Sequence, residues 1–381
     1  MRIWVTAVML ASVALLTSCA PDVPLSSETP RPVPSATAPT VVGPSLPAKP
    51  KLGYSLTCDE LVPDASRVKA FGDVGIHEVN SPDDRISPLA ASVSQHGGLS
   101  CNLGNDERRE TAPGTFNPAY KHLTILLLPD MDRKWVKYAT MGYPQDAADV
   151  QFASGSATEC SSSTQMKGCS SNIRVGLTWV ELALTGINVP DGTTDSVLLE
   201  WVRPIIASIV ERIPDPRAIG GAQTDATTPD CDVVLPVGQV AGILAYTGSD
   251  ISAANHDKGG YSLMAAAREY SGVEICGVDG RHADNEIALV ASEILPGGAW
   301  AFAPGEAVNG IAVGSDKVDV PGTSAASYLR CPLDDYGCTL DLAVADNWVR
   351  VTLQQQLGEK VTEEDRQSVL ALGAMVAANL S

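Results

Sequence analysis

The side chains able to do chemistry in this chain are few and far apart. Five histidines, His77, His96, His122, His256 and His282, are widely spread and none forms a short-range pair. A zinc site needs three or four ligands meeting in tetrahedral geometry, so His77 with His96, or His256 with His282, meet only if the fold brings them together. Ser66-Arg67-Val68-Lys69 has the Ser-x-x-Lys spacing that places a hydroxyl and an amine on one helical face, where the amine could activate the serine. Its companion motifs Ser-Asp-Asn and Lys-Thr-Gly are absent, and no Gly-x-Ser-x-Gly elbow occurs. Asp and Glu total 45 against 26 Lys and Arg, so pairs such as Asp83/Asp84, Asp334/Asp335 and Glu363/Glu364 are expected on any solvated surface. The stretch Gly277–Glu286 carries oxygen ligands and turn glycines without EF-hand spacing, which favours a hairpin over a calcium loop. From the residues alone no catalytic residue, metal ligand or cofactor is assigned.

The cysteines are more informative. Nine occur, and apart from Cys19 they fall into two sets of four: Cys58, Cys101, Cys160 and Cys169, then Cys231, Cys276, Cys331 and Cys338. Their spacings match closely and their surroundings repeat. Cys58-Asp59-Glu60-Leu61-Val62-Pro63 answers Cys231-Asp232-Val233-Val234-Leu235-Pro236, and Leu128-Pro129 answers Leu295-Pro296, each ahead of a tryptophan, Trp135 or Trp300. Trp179-Val180 follows Cys169 at the same offset at which Trp348-Val349 follows Cys338. A tandem duplication is the reading, with disulfides as staples suited to an oxidising compartment. Four cysteines allow three pairings in each copy. First-to-second and third-to-fourth is favoured, because Cys160–Cys169 and Cys331–Cys338 would close short loops.

The N-terminus agrees with export. Arg2 precedes a short apolar run, Ile3 to Leu16, too short to cross roughly 30 Å of hydrocarbon comfortably and suited to a signal peptide. Leu16-Thr17-Ser18-Cys19 follows and resembles the lipobox of bacterial lipoproteins. That resemblance implies a diacylated Cys19 at the start of the mature chain and attachment to the extracytoplasmic face of the cell membrane. Nine prolines stand among residues 20–50, a composition for extended, solvated backbone. Lipobox, Pro-rich stalk and paired cysteines together resemble the two-domain envelope lipoproteins of high-GC Gram-positive bacteria, a likeness that transfers no functional residue.

These features must be carried by folded elements. The predicted organisation is a signal peptide at 1–19, a disordered stalk at 20–50, a first domain at 51–214, a linker at 215–228 and a second domain at 229–381. Asp59 to Phe71 reads as a helix capped by Asp59 or Asp64, with Val233 to Ala245 as its counterpart. Strands are expected around Leu99–Leu103 and Val273–Val278, over His122–Leu128 and Glu286–Ala291, and within Asn172–Ala183 and Thr339–Leu353. Helices over Ser196–Ile213, kinked at Pro204, and Glu363–Leu380 close each copy. The fold class is α+β: two tandem homologous domains, each an antiparallel sheet with flanking helices and two disulfides. Each domain is long enough to bury a core of its own. Trp179 and Trp348 are expected in the core, with Trp135, Trp201 and Trp300 in core or groove.

A formal charge of −19, or −20 once Arg2 is lost, repels nucleic acid and anionic surfaces. The expected function is noncatalytic binding at the cell envelope. Its partners would be the membrane, through Cys19, and an extracellular protein or small molecule, with no nucleic acid. A cleft between the copies is the default place for a ligand. The alternative is an extracytoplasmic hydrolase acting on a cell-wall or peptide substrate, which would gather His96 or His256 with carboxylates in a concave site.

Overall fold

The computed structural model describes residues 46–79, 86–112, 115–131, 156–163, 166–214, 230–248, 250–255, 262–282, 285–332, 337–354 and 360–381. By internal contacts the chain divides into Met1–Val42 and Gly43–Ser381, and all described residues belong to the second unit. Cys19, the lipobox, Trp135, His256, Asp83/Asp84 and Asp334/Asp335 lie outside them, as do most of the stalk and the whole linker.

Copy 1 runs through α1 (Cys58–Leu61), α2 (Asp64–Phe71), β1 (His77–Glu78), α3 (Pro88–Gln95) and β2 (Leu99–Gly104). A small hairpin of β3 (Glu110–Ala112) and β4 (Thr115–Phe116) follows. Then come β5 (His122–Leu128), β6 (Ala157–Ser162), β7 (Lys167–Val175), β8 (Thr178–Thr185) and α4 (Asp195–Val210). Copy 2 repeats the plan with α5 (Cys231–Val234), α6 (Val237–Ile243), β9 (Ser252–Asn255), α7 (Leu263–Ser271), β10 (Glu274–His282) and β11 (Asn285–Leu295). After a 3-10 turn at Gly298–Phe302 come α8 (Pro304–Asn309), β12 (Asp316–Val318), β13 (Ser327–Arg330), β14 (Gly337–Val344), β15 (Asn347–Gln354) and α9 (Glu363–Leu380). The sheets are antiparallel, in the orders β1-β2-β5-β8-β7-β6 and β12-β13-β14-β15-β11-β10-β9. Read along the strands, β9, β10, β11, β13, β14 and β15 stand where β1, β2, β5, β6, β7 and β8 stand in copy 1.

Two disulfides staple each copy: Cys58–Cys101 and Cys160–Cys169, then Cys231–Cys276 and Cys331–Cys338. The first of each pair ties the N-terminal helix to the strand next to the sheet edge, β2 or β10. The second links neighbouring strands in copy 1, where Cys160 stands directly opposite Cys169.

The opening helix departs from expectation in both copies. One helix over Asp59–Phe71 is broken in two, because Pro63 has no amide to donate and pushes Val62 into extended backbone at φ −120°. Leu235, ahead of Pro236, likewise leaves the helical region, at φ −124° and ψ 72°. Neither Asp59 nor Asp64 is the cap. Thr57 accepts the Glu60 amide and Glu60 returns the bond to the Thr57 amide, a capping box. Asp59 is ion-paired with the buried Arg67 instead. In the closing helices, α4 continues through Pro204 to Val210. The equivalent position in α9 is Gly373, where a Cβ would collide with the Leu340 side chain.

Each sheet has two apolar faces. Toward the outside, Val180, Leu182 and Leu184 pack with Leu198, Val202, Ile205, Ile206 and Ile209 of α4. Val349, Val351 and Leu353 pack in the same way with Val369, Leu372 and Val376 of α9. Strand alternation sends Trp179 and Trp348 to the opposite faces, and both are fully buried. What covers them is unexpected. Trp179, Leu126, Leu128 and Met131 of copy 1 lie under Leu263, Ala266 and Ala267 from α7 of copy 2. Trp348, Leu295, Trp300 and Phe302 of copy 2 cluster with Ala91 from α3 of copy 1. The result is five layers, helix, sheet, helix pair, sheet, helix, in which the middle layer belongs to both copies.

Candidate functional site: the seam between the copies

The two helices that meet at the seam are built to approach closely. Both are capped by serine, Ser87 accepting from the Ala90 amide and Ser262 from the Ala265 amide. Both helices carry small residues, Ala90-Ala91-Ser92 and Ala265-Ala266-Ala267, and Val93 of α3 packs with Leu263, Ala266 and Ala267 of α7. Ser271 donates its hydroxyl to the Ser92 carbonyl at 3.0 Å. At the far end His96 stacks on Tyr270, with ring centroids 4.7 Å apart and planes at 17°. Gln95 receives the Trp300 indole N–H at 2.7 Å and donates to the Pro296 carbonyl at 3.4 Å.

Beneath each helix start lies a carboxylate from the other copy. Across β5, β8 and β7 the register aligns Leu126, Glu181 and Asn172. Across β11, β15 and β14 it aligns Glu293, Arg350 and Asp341. Glu181 Oε2 accepts the Leu263 amide at 3.0 Å, and Glu293 Oε2 accepts the Leu89 amide at 3.3 Å. A helix start presents unpaired amides and partial positive charge, so a carboxylate there satisfies both. Burial still dominates, pushing both carboxyl groups above the ordinary range; the Leu263 amide opposes the shift at Glu181, and Arg350 most strongly opposes it at Glu293.

The third member of each row holds a tryptophan. Trp179 donates Nε1–H to Asn172 Oδ1 at 2.7 Å, and Trp348 donates to Asp341 Oδ1 at 2.8 Å. Asp341 has no exposure and also accepts from Arg350 at 2.8 and 3.1 Å. Arg350 Nη2 then crosses the seam to the Ile86 carbonyl at 2.8 Å. A further strap crosses from the N-terminal side. Leu46 packs on the Trp300 cluster, while Lys49 pairs with Glu306 at 2.6 Å and lies 5.6 Å from the Trp300 ring centre.

Among the described residues, Ser66, Lys69, His77, His96 and His122, singled out by sequence for chemistry, each have partners of their own. Ser66 hydrogen-bonds Ser208 of α4 at 2.9 Å, whereas Lys69 reaches over the half-exposed Trp201 ring, so hydroxyl and amine serve two separate helix contacts. His77 engages both ring nitrogens, Nε2 with Asp106 at 3.0 Å and Nδ1 with the Gly75 carbonyl at 2.9 Å. His122 stacks on Tyr120 in copy 1, remote in sequence from the His96–Tyr270 pair. Gly277–His282 lies in β10 and Asn285–Glu286 opens β11, the two strands pairing antiparallel with Arg281 opposite Glu286 and His282 opposite Asn285. Among the described residues no group of three or more His, Cys, Asp or Glu is placed to hold a metal ion.

Sequence reading missed the seam itself: α3, α7, Glu181, Glu293 and the Asp341–Arg350 pair. The available signals were the Ser-capped starts Ser87-Pro88 and Ser262-Leu263 at matching distances before the second cysteine of each copy. No protein-family model matches the chain, and no curated protein matches it. Among solved structures the chain is similar to the crystal structure of the di-domain ARO/CYC StfQ from the steffimycin biosynthetic pathway. The identity is 9%, over 88% of this chain and 95% of that one, and the TM-score of 0.16 carries no argument.

Proposed function

We propose that this is a lipid-anchored protein of the extracytoplasmic face of the cell membrane, which binds a partner and does no chemistry on it. The carrying observation is where the buried polar groups go. Asn172, Glu181, Glu293, Asp341 and Arg350 are engaged with tryptophan indoles, helix amides, one another and a carbonyl across the seam. Buried charge here holds an architecture together, in contrast to a poised acid or base facing a reactant. The lipobox at Leu16–Cys19 supports anchoring at Cys19, and the formal charge of −19 argues against nucleic acid as a partner.

One place for a small molecule is an open hollow of about 430 Å³ in copy 2, lined by Lys317, Asp319, Val320, Thr323 and Ser324. Native mass spectrometry of the full-length protein, gently released from its own envelope, tests the reading. A diacylated Cys19, four disulfides and a copurifying ligand are expected. An unacylated Cys19, or turnover of cell-wall glycan or peptide by the pure protein, overturns it.

A further inference from the structure

We propose that the two copies form a fused, mutually dependent pair: the seam face of each sheet is an interaction surface whose partner is the Ser-capped, small-residue helix of the other copy. Neither copy is then a folding unit by itself. The inference does not depend on the functional reading above.

The case rests on what each sheet would lose alone. Without α7, the Trp179, Leu126, Leu128 and Met131 face of copy 1 would be left to water, and with it one of the largest buried side chains of the molecule. Lacking α3, the cluster around Trp348 and Trp300 would lose Ala91, and Trp300 would lose the Gln95 side chain that accepts its N–H. Contiguous apolar faces of this kind are not left open on soluble domains. The polar ends mark the same contact, because Glu181 accepts the Leu263 amide and Glu293 the Leu89 amide, bonds between copies that separate copies would have to exchange for water.

The pairing is also directional. In copy 2 the row Glu293–Arg350–Asp341 reaches the Ile86 carbonyl at the start of α3. In copy 1 the row Leu126–Glu181–Asn172 has no cation to do the same. Two first copies meeting one another would therefore lack the Arg350 contact, so α3 of copy 1 distinguishes the sheet of copy 2 from that of a second copy 1. The four disulfides among the described residues all lie within copies, so none of them holds the two together.

The test uses the full chain with a protease site placed in segment 215–229, oxidised and folded before cleavage. The cut protein should remain a one-to-one pair at micromolar concentration and unfold in a single transition whose midpoint rises with concentration. Adding Ala267→Leu, which overfills the contact under α7, should weaken the cut pair by about ten-fold or more. Val197→Ala on the exposed face of α4 should leave it unchanged. Cut fragments that separate as folded monomers, melt in two independent steps, or ignore Ala267→Leu would overturn the proposal.

Discussion

Replacing Arg350 by methionine is the sharpest probe of the seam. Asp341 has no exposure and accepts hydrogen bonds from Trp348 and, through both carboxylate oxygens, from Arg350. Methionine preserves much of the stem's packing but removes the guanidinium, leaving a buried carboxylate without its cation. The bond to the Ile86 carbonyl across the seam goes as well. Removing one partner from a buried pair costs about 3–5 kcal/mol, whereas an exposed pair is worth about 1 kcal/mol or less. The repeat supplies its own control, since copy 1 holds its tryptophan with Asn172 at the matching site. Asp341→Asn combined with Arg350→Met removes the charge stranded at Asp341, though not at Glu293, which also loses its cation, so the double variant should lose less than the single, about 2 kcal/mol. Urea unfolding followed by tryptophan fluorescence, with disulfides intact, measures both. A single-variant loss under about 1 kcal/mol, the worth of an exposed pair, or a double variant no better than the single, would refute the idea that Asp341 is held in a water-free seam.

Two further outcomes are expected. Glu181 and Glu293 have folded-state pKa values above their unfolded ones, so their stabilising contribution is fully present below the ordinary glutamate range and fades as pH rises through the shifted values. Glu181→Gln and Glu293→Gln keep an acceptor for the helix amides, and the difference in stability between wild type and each variant should shrink on acidification from neutral pH; a pH-independent difference counts against the assignment. For the disulfides, closing 43 residues at Cys58–Cys101 should contribute roughly 4 kcal/mol, against roughly 2.5 kcal/mol for the 9 residues at Cys160–Cys169. Paired serine substitutions measured in the same urea assay should keep that order, and the reverse order would show that native packing around the short bridge outweighs chain entropy.

Much of the fold was legible because it depends on local signals. The two cysteine sets and the Trp179/Trp348 register expose the duplication, and His122–Leu128 reads as a strand at its observed bounds. Glu363–Leu380 likewise reads as a helix with its observed limits, opened by the Thr362/Asp365 capping box. The break in the first helix has a local signal too, in Val62-Pro63 and Leu235-Pro236, where the effect of proline on the preceding residue outweighs apolar periodicity. What sequence did not disclose is pairing at long range. Glu181 and Leu263, or Arg350 and Ile86, are joined by nothing but the fold, and a carboxylate that caps a helix in another copy has no local pattern around it.

The strands nevertheless carried a trace of the missing layer. A sheet covered on one face alternates apolar with polar residues, while one buried on both sides reads as a continuous apolar run. Strand β5 begins in alternation, with Leu123 buried between the partly exposed His122 and Thr124, and ends without it, since Ile125, Leu126, Leu127 and Leu128 are all buried. Ile125 and Leu127 face the α4 side, whereas Leu126 and Leu128 belong to the cluster under α7. Trp179 then stands on the face opposite Val180 and Leu182, where a sheet with one wet side would place a polar group. Both observations require a cover for the second face, and copy 1 has already committed α4 to the first. The cover had to come from elsewhere in the chain, and a repeat with the same surplus in copy 2 makes reciprocal exchange the arrangement that satisfies both sheets at once.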